Sequence, residues 1–334
     1  MSSSSASASA VRTSVIVCCF NSAARLGQTL RALARQDFSK TWELVVVDNR
    51  STDDTAGVAR RGWDRSDVPL TILQEARQGL VWARLRGLSG ARGEWVCFVD
   101  DDNHLEPRYL QTADEILARL PDVGIVGGEA VPQFECEPSA WLKREWWRSL
   151  ALGPQASGEG KVSGPLYGAG ICVRRQVWSQ LQKVGWRPLM QGRSGHLLLS
   201  GEDSELCLVA SCLGWQAYFS PRMRLQHQIP RSRLTWQYWL RLYGGFGRTA
   251  ATMNVLSGVL RLRRSRWRRS TYLLLRACYA VAHIPGIPIF WAAPRLLPCG
   301  SSAAIRGSFR FGYASEGVQG VLKVWRTDWL KSFW

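Results

Sequence analysis

Short apolar runs alternate with amphipathic stretches through the first part of the chain. "SVIVCCFN" (14–21), "WELVVVDN" (42–49), "LTILQEA" (70–76) and "EWVCFVDDD" (94–102) each have the length and β-branched content of a strand. Between them, "LGQTLRALARQ" (26–36) puts Leu26, Leu30, Leu33 and Ala34 on one helical face, and "GLVWARLRGLSGA" (79–91) reads as another helix. "STDDTAGVARR" (51–61) opens a third, with Ser51 as its N-cap and Asp54 as the acidic third position. Strands this apolar, alternating with helices, imply an α/β fold with a parallel sheet buried on both faces. Such sheets bind ligands at the carboxyl ends of their strands. Asp48 and the run Asp100-Asp101-Asp102 stand at those ends.

The pattern loosens afterwards. "GPQASGEGKVSGPLYGAG" (153–170) is rich in Gly and Ser and reads as a mobile stretch. "EDSELCLVASCLGW" (202–215) returns to helical spacing through Leu206, Val209, Ala210 and Leu213, and "WQAYFSP" (215–221) reads as a short strand, with His227 after it. Near the C-terminus "YLLLRACYAVAHIPGIPIFWAAPRLL" (272–297) is apolar but carries Arg276 and His283 and is broken by three prolines. It suits an interfacial or re-entrant segment better than a transmembrane helix.

Charge divides the chain. Residues 1–221 hold 24 Lys and Arg against 24 Asp and Glu. Residues 222–334 hold 19 against only Glu316 and Asp328, so the whole formal charge of +17 lies in the last third. Seven of the 17 tryptophans lie there too. A basic nucleic-acid module and a surface resting on anionic lipid both fit the charge. The tryptophans and the apolar neighbours of Arg261, Arg263, Arg264, Arg266, Arg268 and Arg269 favour lipid and no nucleic acid. The nine cysteines include no CxxC pair and several sit in apolar runs, so a reduced, cytoplasmic setting without a disulfide or zinc framework is expected. The first ten residues, "MSSSSASASA", read as a disordered tail without the features of a signal peptide.

Three adjacent carboxylates at a strand end repel one another, more so away from water. A solvated turn would tolerate them. With Asp48 on the same sheet edge, a divalent cation accounts for them better: Mn²⁺ or Mg²⁺ takes one or two carboxylates and keeps substrate phosphates as its other ligands.

Seven segments in order, "SVIVCCFNSAARLGQTLRALARQ", "ELVVVDNRSTDDT", "GLVWARLRGL", "GEWVCFVDDDNHLEP", "GAGICVRR", "GEDSELC" and "RLQHQIP", resemble the family 2 inverting glycosyltransferases over residues 13–230. The resemblance implies the GT-A fold and transfer of a sugar from a nucleotide-sugar, commonly a UDP-sugar, to an acceptor hydroxyl. It also implies roles. Asp48 would bond the nucleotide base. Asp100 and Asp101 would face the ribose and diphosphate, and Asp102, the last Asp of the DxD motif, would hold the metal. Arg84, Cys18 and Asn21 would border the nucleotide-sugar. Arg84 is followed by Leu85 where the family has Asn, and Arg50 stands where it commonly has Gly or Ala. Asp203 would be the general base, with Glu202 beside it toward the acceptor. His227 would reach the metal and diphosphate, while His104, His196 and His283 are expected to be structural. "IPRSRLTWQYWLRLYGGFGRTAA" (229–251) resembles the tail of exopolysaccharide glycosyltransferases, including the hormogonium-polysaccharide type. Arg231 and Arg233 in it lie close enough in sequence to His227 to help hold a diphosphate.

The expected organisation is a tail (1–10), a GT-A domain (11–230, its nucleotide-sugar half to about 130) and a basic, Trp-rich, membrane-associating region (231–334). The expected activity is inverting transfer to a lipid-linked or polysaccharide acceptor on the inner face of the cell membrane. Two alternatives stay open from sequence: a polyprenyl-phosphate glycosyltransferase, and a nucleic-acid-binding protein with a degenerate nucleotide fold.

Overall fold

A computed structural model describes residues 10–193, 198–262, 266–282, 297–328 and 330. Four strands, β1 (Thr13–Cys19), β2 (Trp42–Asp48), β3 (Leu70–Gln74) and β4 (Trp95–Asp100), pair in parallel in the order β3-β2-β1-β4. Their crossovers contain α1 (Leu26–Ala34), α2 (Thr55–Gly62) and α3 (Leu80–Gly90). β1 and β2 are almost wholly buried, as their unbroken apolar runs require.

Past β4 the sheet becomes mixed. After β5 (Asn103–Leu105) and α4 (Tyr109–Arg119) come β6 (Val123–Phe134), β7 (Gly160–Val162), β8 (Cys172–Arg174), α5 (Arg175–Lys183), α6 (Glu202–Cys212) and β9 (Gln216–Ile229). The order continues β4-β8-β6-β9-β5, with β8 antiparallel to both neighbours, and β7 pairs with β9. β6 and β9 run parallel with a register shift at Gly127/Glu129. There a Cβ on Gly128 would stand 1.9 Å from the Met223 carbonyl oxygen, so only glycine lets the strands approach.

Two sequence expectations are corrected. Ser51 does not cap α2: the helix begins at Thr55, and Ser51 Oγ instead accepts the Asn21 N–H at 3.0 Å. The strand expected at 215–221 runs on to Ile229, because β6 pairs with it on both sides of the register shift, at Gln216–Phe219 and again at Arg224–Ile229. His227 therefore lies within β9, opposite Asn103 of β5.

Three helices follow: α7 (Trp236–Arg261), α8 (Arg266–Ala282) and α9 (Ser302–Trp325). α7 and α9 pack so closely that a Cβ on Gly312 would stand 1.8 Å from the Gly244 carbonyl oxygen. These helices also complete the core of the sheet. Tyr238, Trp239, Leu242 and Ile305 join the cluster on one side, and Val255, Leu256, Val259, Val321 and Val324 join that on the other. Among the described residues no helix is long and apolar enough to cross a membrane. The sequence readings for residues 1–9, His196, Arg263, Arg264, His283 and Trp291 fall outside the described residues, as do most of the 272–297 segment and the Arg266 side chain.

Candidate active site

Parallel pairing sets the first wall of the site. Register places Cys18 between Val47 and Asp100, and Cys19 beside Asp48, so β1, β2 and β4 end level. A cleft of about 900 Å³ opens over this edge, and its other walls come from the Arg144–Leu150 turn, residues 167–169, the start of α6, and α7.

The three aspartates diverge. Asp101 is turned toward α1. Arg25 grips it with two hydrogen bonds of 2.8 Å, Ser22 Oγ donates to it, and Thr29 Oγ1 donates to its carbonyl at 2.9 Å. Its carboxylate is thus occupied by protein donors although it borders the cleft. Asp100, a third exposed at its side chain, stands 3.8 Å from Arg84. Burial pushes the Asp100 carboxyl up, and Arg84 partly offsets this. Asp102 is buried, with Arg233 Nη2 3.0 Å from Oδ2, Asn103 Nδ2 donating to Oδ1 at 3.1 Å and His227 Nε2 3.6 Å from Oδ1. Burial alone would raise the Asp102 carboxyl; the Arg233 guanidinium outweighs it and holds it well below the usual range.

Arg233 also lies 3.2 Å from His227 Nε2 through Nη1. A guanidinium only donates, so Nε2 accepts and the ring proton falls on Nδ1, which is buried without a partner. Two electron-rich atoms, Asp102 Oδ1 and His227 Nε2, then face each other at the distance a shared cation would bridge. Among the described residues no three His, Cys, Asp or Glu side chains form a ligand cluster. The Asp102–His227 pair fits a divalent cation whose remaining ligands are diphosphate oxygens and water.

The opposite wall is the N-terminus of α6, which follows Gly201 in a left-handed conformation (φ 99°). Asp203 Oδ2 accepts the Gly168 N–H at 2.8 Å and Oδ1 accepts that of Ser204 at 2.7 Å. Glu202 Oε1 lies 3.4 Å from Arg84 Nη1, while Oε2 is buried without a partner. Burial, reinforced by the Asp203 charge, pushes the Glu202 carboxyl up to about 7 against the pull of Arg84. Arg84 thus ties the α6 carboxylates to Asp100 on β4.

The structure separates some expected partners. Asp48 lies behind the cleft, accepting Ser51 N–H at 2.9 Å and Gln74 Nε2 at 3.0 Å. Asn21, with φ 50°, accepts the Thr52 N–H at 2.8 Å and also stays off the lining. Cys18 lines the cleft, its thiol pushed up to about 12 by burial. Arg233 and Arg231 part company: Arg231 is exposed and off the cleft, its backbone N–H donating to Glu135 at 2.7 Å. Pairing Arg231 with Arg233 by nearness in sequence is thereby corrected, since the 3₁₀ turn Arg231–Leu234 points the two side chains apart.

Sequence reasoning missed Arg25, whose target lies 76 positions away. It also missed Asn49, which bonds the 75 and 77 carbonyls and the Gly79 N–H and so joins the end of β2 to the start of α3. Glu205 was assigned no role from sequence. It is buried, and it accepts the N–H groups of Leu189 and Met190 and the Trp186 indole. Its place one turn before Val209, on the apolar face, was the available signal.

A family model described as glycosyltransferase-like family 2 matches residues 11–242. The chain belongs to this family. It is a glycosyltransferase of the kind that acts on nucleotide sugars. Among its relatives is a glucosyl-dolichyl phosphate glucuronosyltransferase from Haloferax volcanii, 22% identical over 71% of this chain and 76% of that one. Another is the poly(ribitol-phosphate) β-N-acetylglucosaminyltransferase TarS of Staphylococcus aureus, 34% identical over 36% of this chain but only 22% of its own length. Of the solved structures, S. aureus TarS 1–349 in complex with UDP aligns over 92% of this chain and 90% of that one (TM-score 0.51, 16% identity). The mannosyltransferase PcManGT from Pyrobaculum calidifontis, in complex with GDP-Man and Mn²⁺, aligns over 93% and 88% (TM-score 0.59, 21% identity). These likenesses are of fold, and the fold is GT-A.

Proposed function

We propose that the chain is an inverting transferase that moves a sugar from a nucleoside-diphosphate sugar, UDP-linked for preference, to a hydroxyl of a lipid-linked or polysaccharide acceptor. The observation that carries this reading is the meeting in one cleft of the Asp102–His227 pair and the Asp203–Glu202 pair, from opposite walls. In this reading the nucleotide rests over the ends of β1 and β4, against Cys18, Asn49 and Asp100. Arg84, with its buried guanidinium, fixes Asp100 relative to α6. A divalent cation held by Asp102 and His227 would supply charge neutralisation for the departing diphosphate. Arg233 is placed to donate hydrogen bonds to the same oxygens. Asp203, held by two backbone N–H groups at the positive end of α6, accepts the proton of the attacking hydroxyl. Glu202 is the candidate acceptor-binding neighbour. A single in-line displacement, with base and leaving group on opposite walls, inverts the anomeric centre.

The reading extends to place. Residues 11–230 form the catalytic part, and the helices beyond it add a membrane-associating surface on the inner face of the cell membrane. α8 supports this. Trp267, Leu274, Leu275 and Val281 recur along one face of the helix and are 78, 65, 62 and 54% exposed, in a region that carries all of the chain's net charge. An exposed apolar face with Arg268 exposed beside it suits an anionic bilayer better than water, although Arg269, expected on the same surface, is buried against the protein.

The test is a screen of nucleotide-sugars for release of nucleoside diphosphate, with Mn²⁺, with Mg²⁺ and in excess EDTA. Release that needs metal supports the reading; release from no donor, or full release in EDTA, counts against the donor or the metal respectively.

A further inference from the structure

The cleft extends from the sheet edge to α7 and α9. Six arginines line it. Arg25, Arg84 and Arg233 are matched with Asp101, with Asp100 and Glu202, and with Asp102. Arg148, Arg193 and Arg241 have no such match. Among the described residues Arg148 Nη2 reaches the Pro154 carbonyl alone, at 3.2 Å, and Arg193 Nη1 the Tyr238 hydroxyl alone, at 3.0 Å. Among the described residues, no carboxylate pairs with any of the three, and Arg241 makes no hydrogen bond or ion pair. They come from three segments that meet at the start of α7: Arg241 is on it, Arg193 bonds its Tyr238, and Ser149, next to Arg148, bonds its Tyr243 at 2.8 Å.

Beside these cations the lining turns apolar, with Leu198, Phe246, Ala250, Met253 and Phe309. Arg241 on α7, with Arg148 from the Arg144–Leu150 turn and Arg193 from a loop, thus gives this part of the lining positive charge. The next turns of α7, with α9, present mainly hydrocarbon, with Thr249 and Asn254 among it. Uncompensated arginines beside an apolar trough match an amphiphile with an anionic head. A neutral glycan would leave the cations unpaired and the trough wet.

We propose that Arg148, Arg193 and Arg241 form an anion subsite for the phosphate of a prenyl-type lipid-linked acceptor, whose chain lies along the α7–α9 trough. This rests on the transfer reading above and narrows its acceptor to a phosphate-bearing lipid. The acceptor sugar then extends from the arginines toward Asp203, and the chain leads out along the helices that neighbour α8.

Direct binding tests it on the full-length protein, using farnesyl diphosphate, farnesol and inorganic pyrophosphate as probes, each with and without saturating UDP. Farnesyl diphosphate is expected to bind with UDP present, and both farnesol and pyrophosphate to bind far more weakly. The exposed Arg148 and Arg241 can be replaced without disturbing the core. Arg148→Gln and Arg241→Gln are each expected to weaken farnesyl diphosphate by roughly tenfold, the scale of one charge-assisted hydrogen bond. Arg241→Lys should recover part of the loss. Displacement of the probe by UDP, equal binding of farnesol or of pyrophosphate, or unchanged affinity in both Gln variants would overturn the subsite. The two readings fail separately. A chain that binds farnesyl diphosphate but no nucleotide keeps the subsite and loses the donor reading. One that releases nucleoside diphosphate from a sugar donor yet ignores farnesyl diphosphate keeps transfer and loses the subsite.

Discussion

Arg233 stands 3.0 Å from the Asp102 carboxylate, where an incoming cation would compete with it. Arg233→Gln should therefore tighten binding of Mn²⁺ alone while weakening binding of a nucleoside diphosphate, because the same guanidinium is a donor to the diphosphate in our account. Calorimetric titration with each ligand checks both directions. Glu202 and Glu205 give a second handle. Burial comes first in both cases and raises each carboxyl from 4.5 to about 7. An acid with a raised folded-state pKa favours the folded state most when it is protonated. Its contribution is complete below the unfolded value of 4.5 and is lost as pH rises through about 7. The thermal midpoint of the ligand-free protein should fall across that window, and Glu202→Gln should make the fall shallower. Thermal scans across the window decide this, and a midpoint that climbs steadily toward neutral pH would contradict it. The same residues show what the sequence could and could not disclose. Asp102, Asp203 and Glu202 were legible because each follows a strand end or opens a helix within a recognisable segment. The different fates of Asp100, Asp101 and Asp102 were not legible, since they depend on Arg84, Arg25 and Arg233, each remote in sequence.

The elements of the first hundred residues were legible for a physical reason. Parallel strands buried on both faces must be largely apolar, and the runs Val15–Cys19, Leu44–Val47 and Trp95–Val99 in β1, β2 and β4 are. The short strands β5, β7 and β8 carry only three residues each, too few for a periodic signal, and they exist because longer neighbours offer them partners. β9 was foreseen at half its length, although the alternation of polar and apolar residues through its second half was a readable strand signal. The α7–α9 contact was invisible too, although the glycines of "YGGFG" and "FGYASEG" are what permit it. Gly312→Ala would drive a methyl into the Gly244 carbonyl and should cost at least about 1–3 kcal/mol, the usual scale of overpacking. A lowered thermal midpoint together with weakened acceptor use would tie this contact to the cleft; an unchanged midpoint would mean that the helices do not pack in this way.

On the scale of the whole molecule, charge and shape are divided between two tasks. In our reading the carboxylates gathered at the sheet edge serve the donor, and the last third gathers arginine and tryptophan. If α8 rests on lipid, two forces hold the protein there. The arginines contribute roughly 1 kcal/mol each near an anionic surface, and salt screens this part. The apolar face of α8 contributes a part that salt does not weaken. Flotation with anionic vesicles should therefore fall only partly at high salt, whereas binding to a nucleic acid would fall steeply and completely. Absence from vesicles combined with a shift of RNA or DNA at the same ionic strength would reverse the assignment of this surface. The central claim is that one cleft holds two carboxylate centres with different tasks, and a paired comparison of donor binding with transfer addresses it most directly. Asp102→Asn is expected to lose metal-dependent donor binding and to lower transfer by about 100-fold or more, the scale of removing one electrostatic stabiliser. Asp203→Asn is expected to abolish transfer while donor affinity stays near the native value, because that carboxylate meets the acceptor. Native transfer in Asp203→Asn, or native metal-dependent donor binding in Asp102→Asn, would contradict the account.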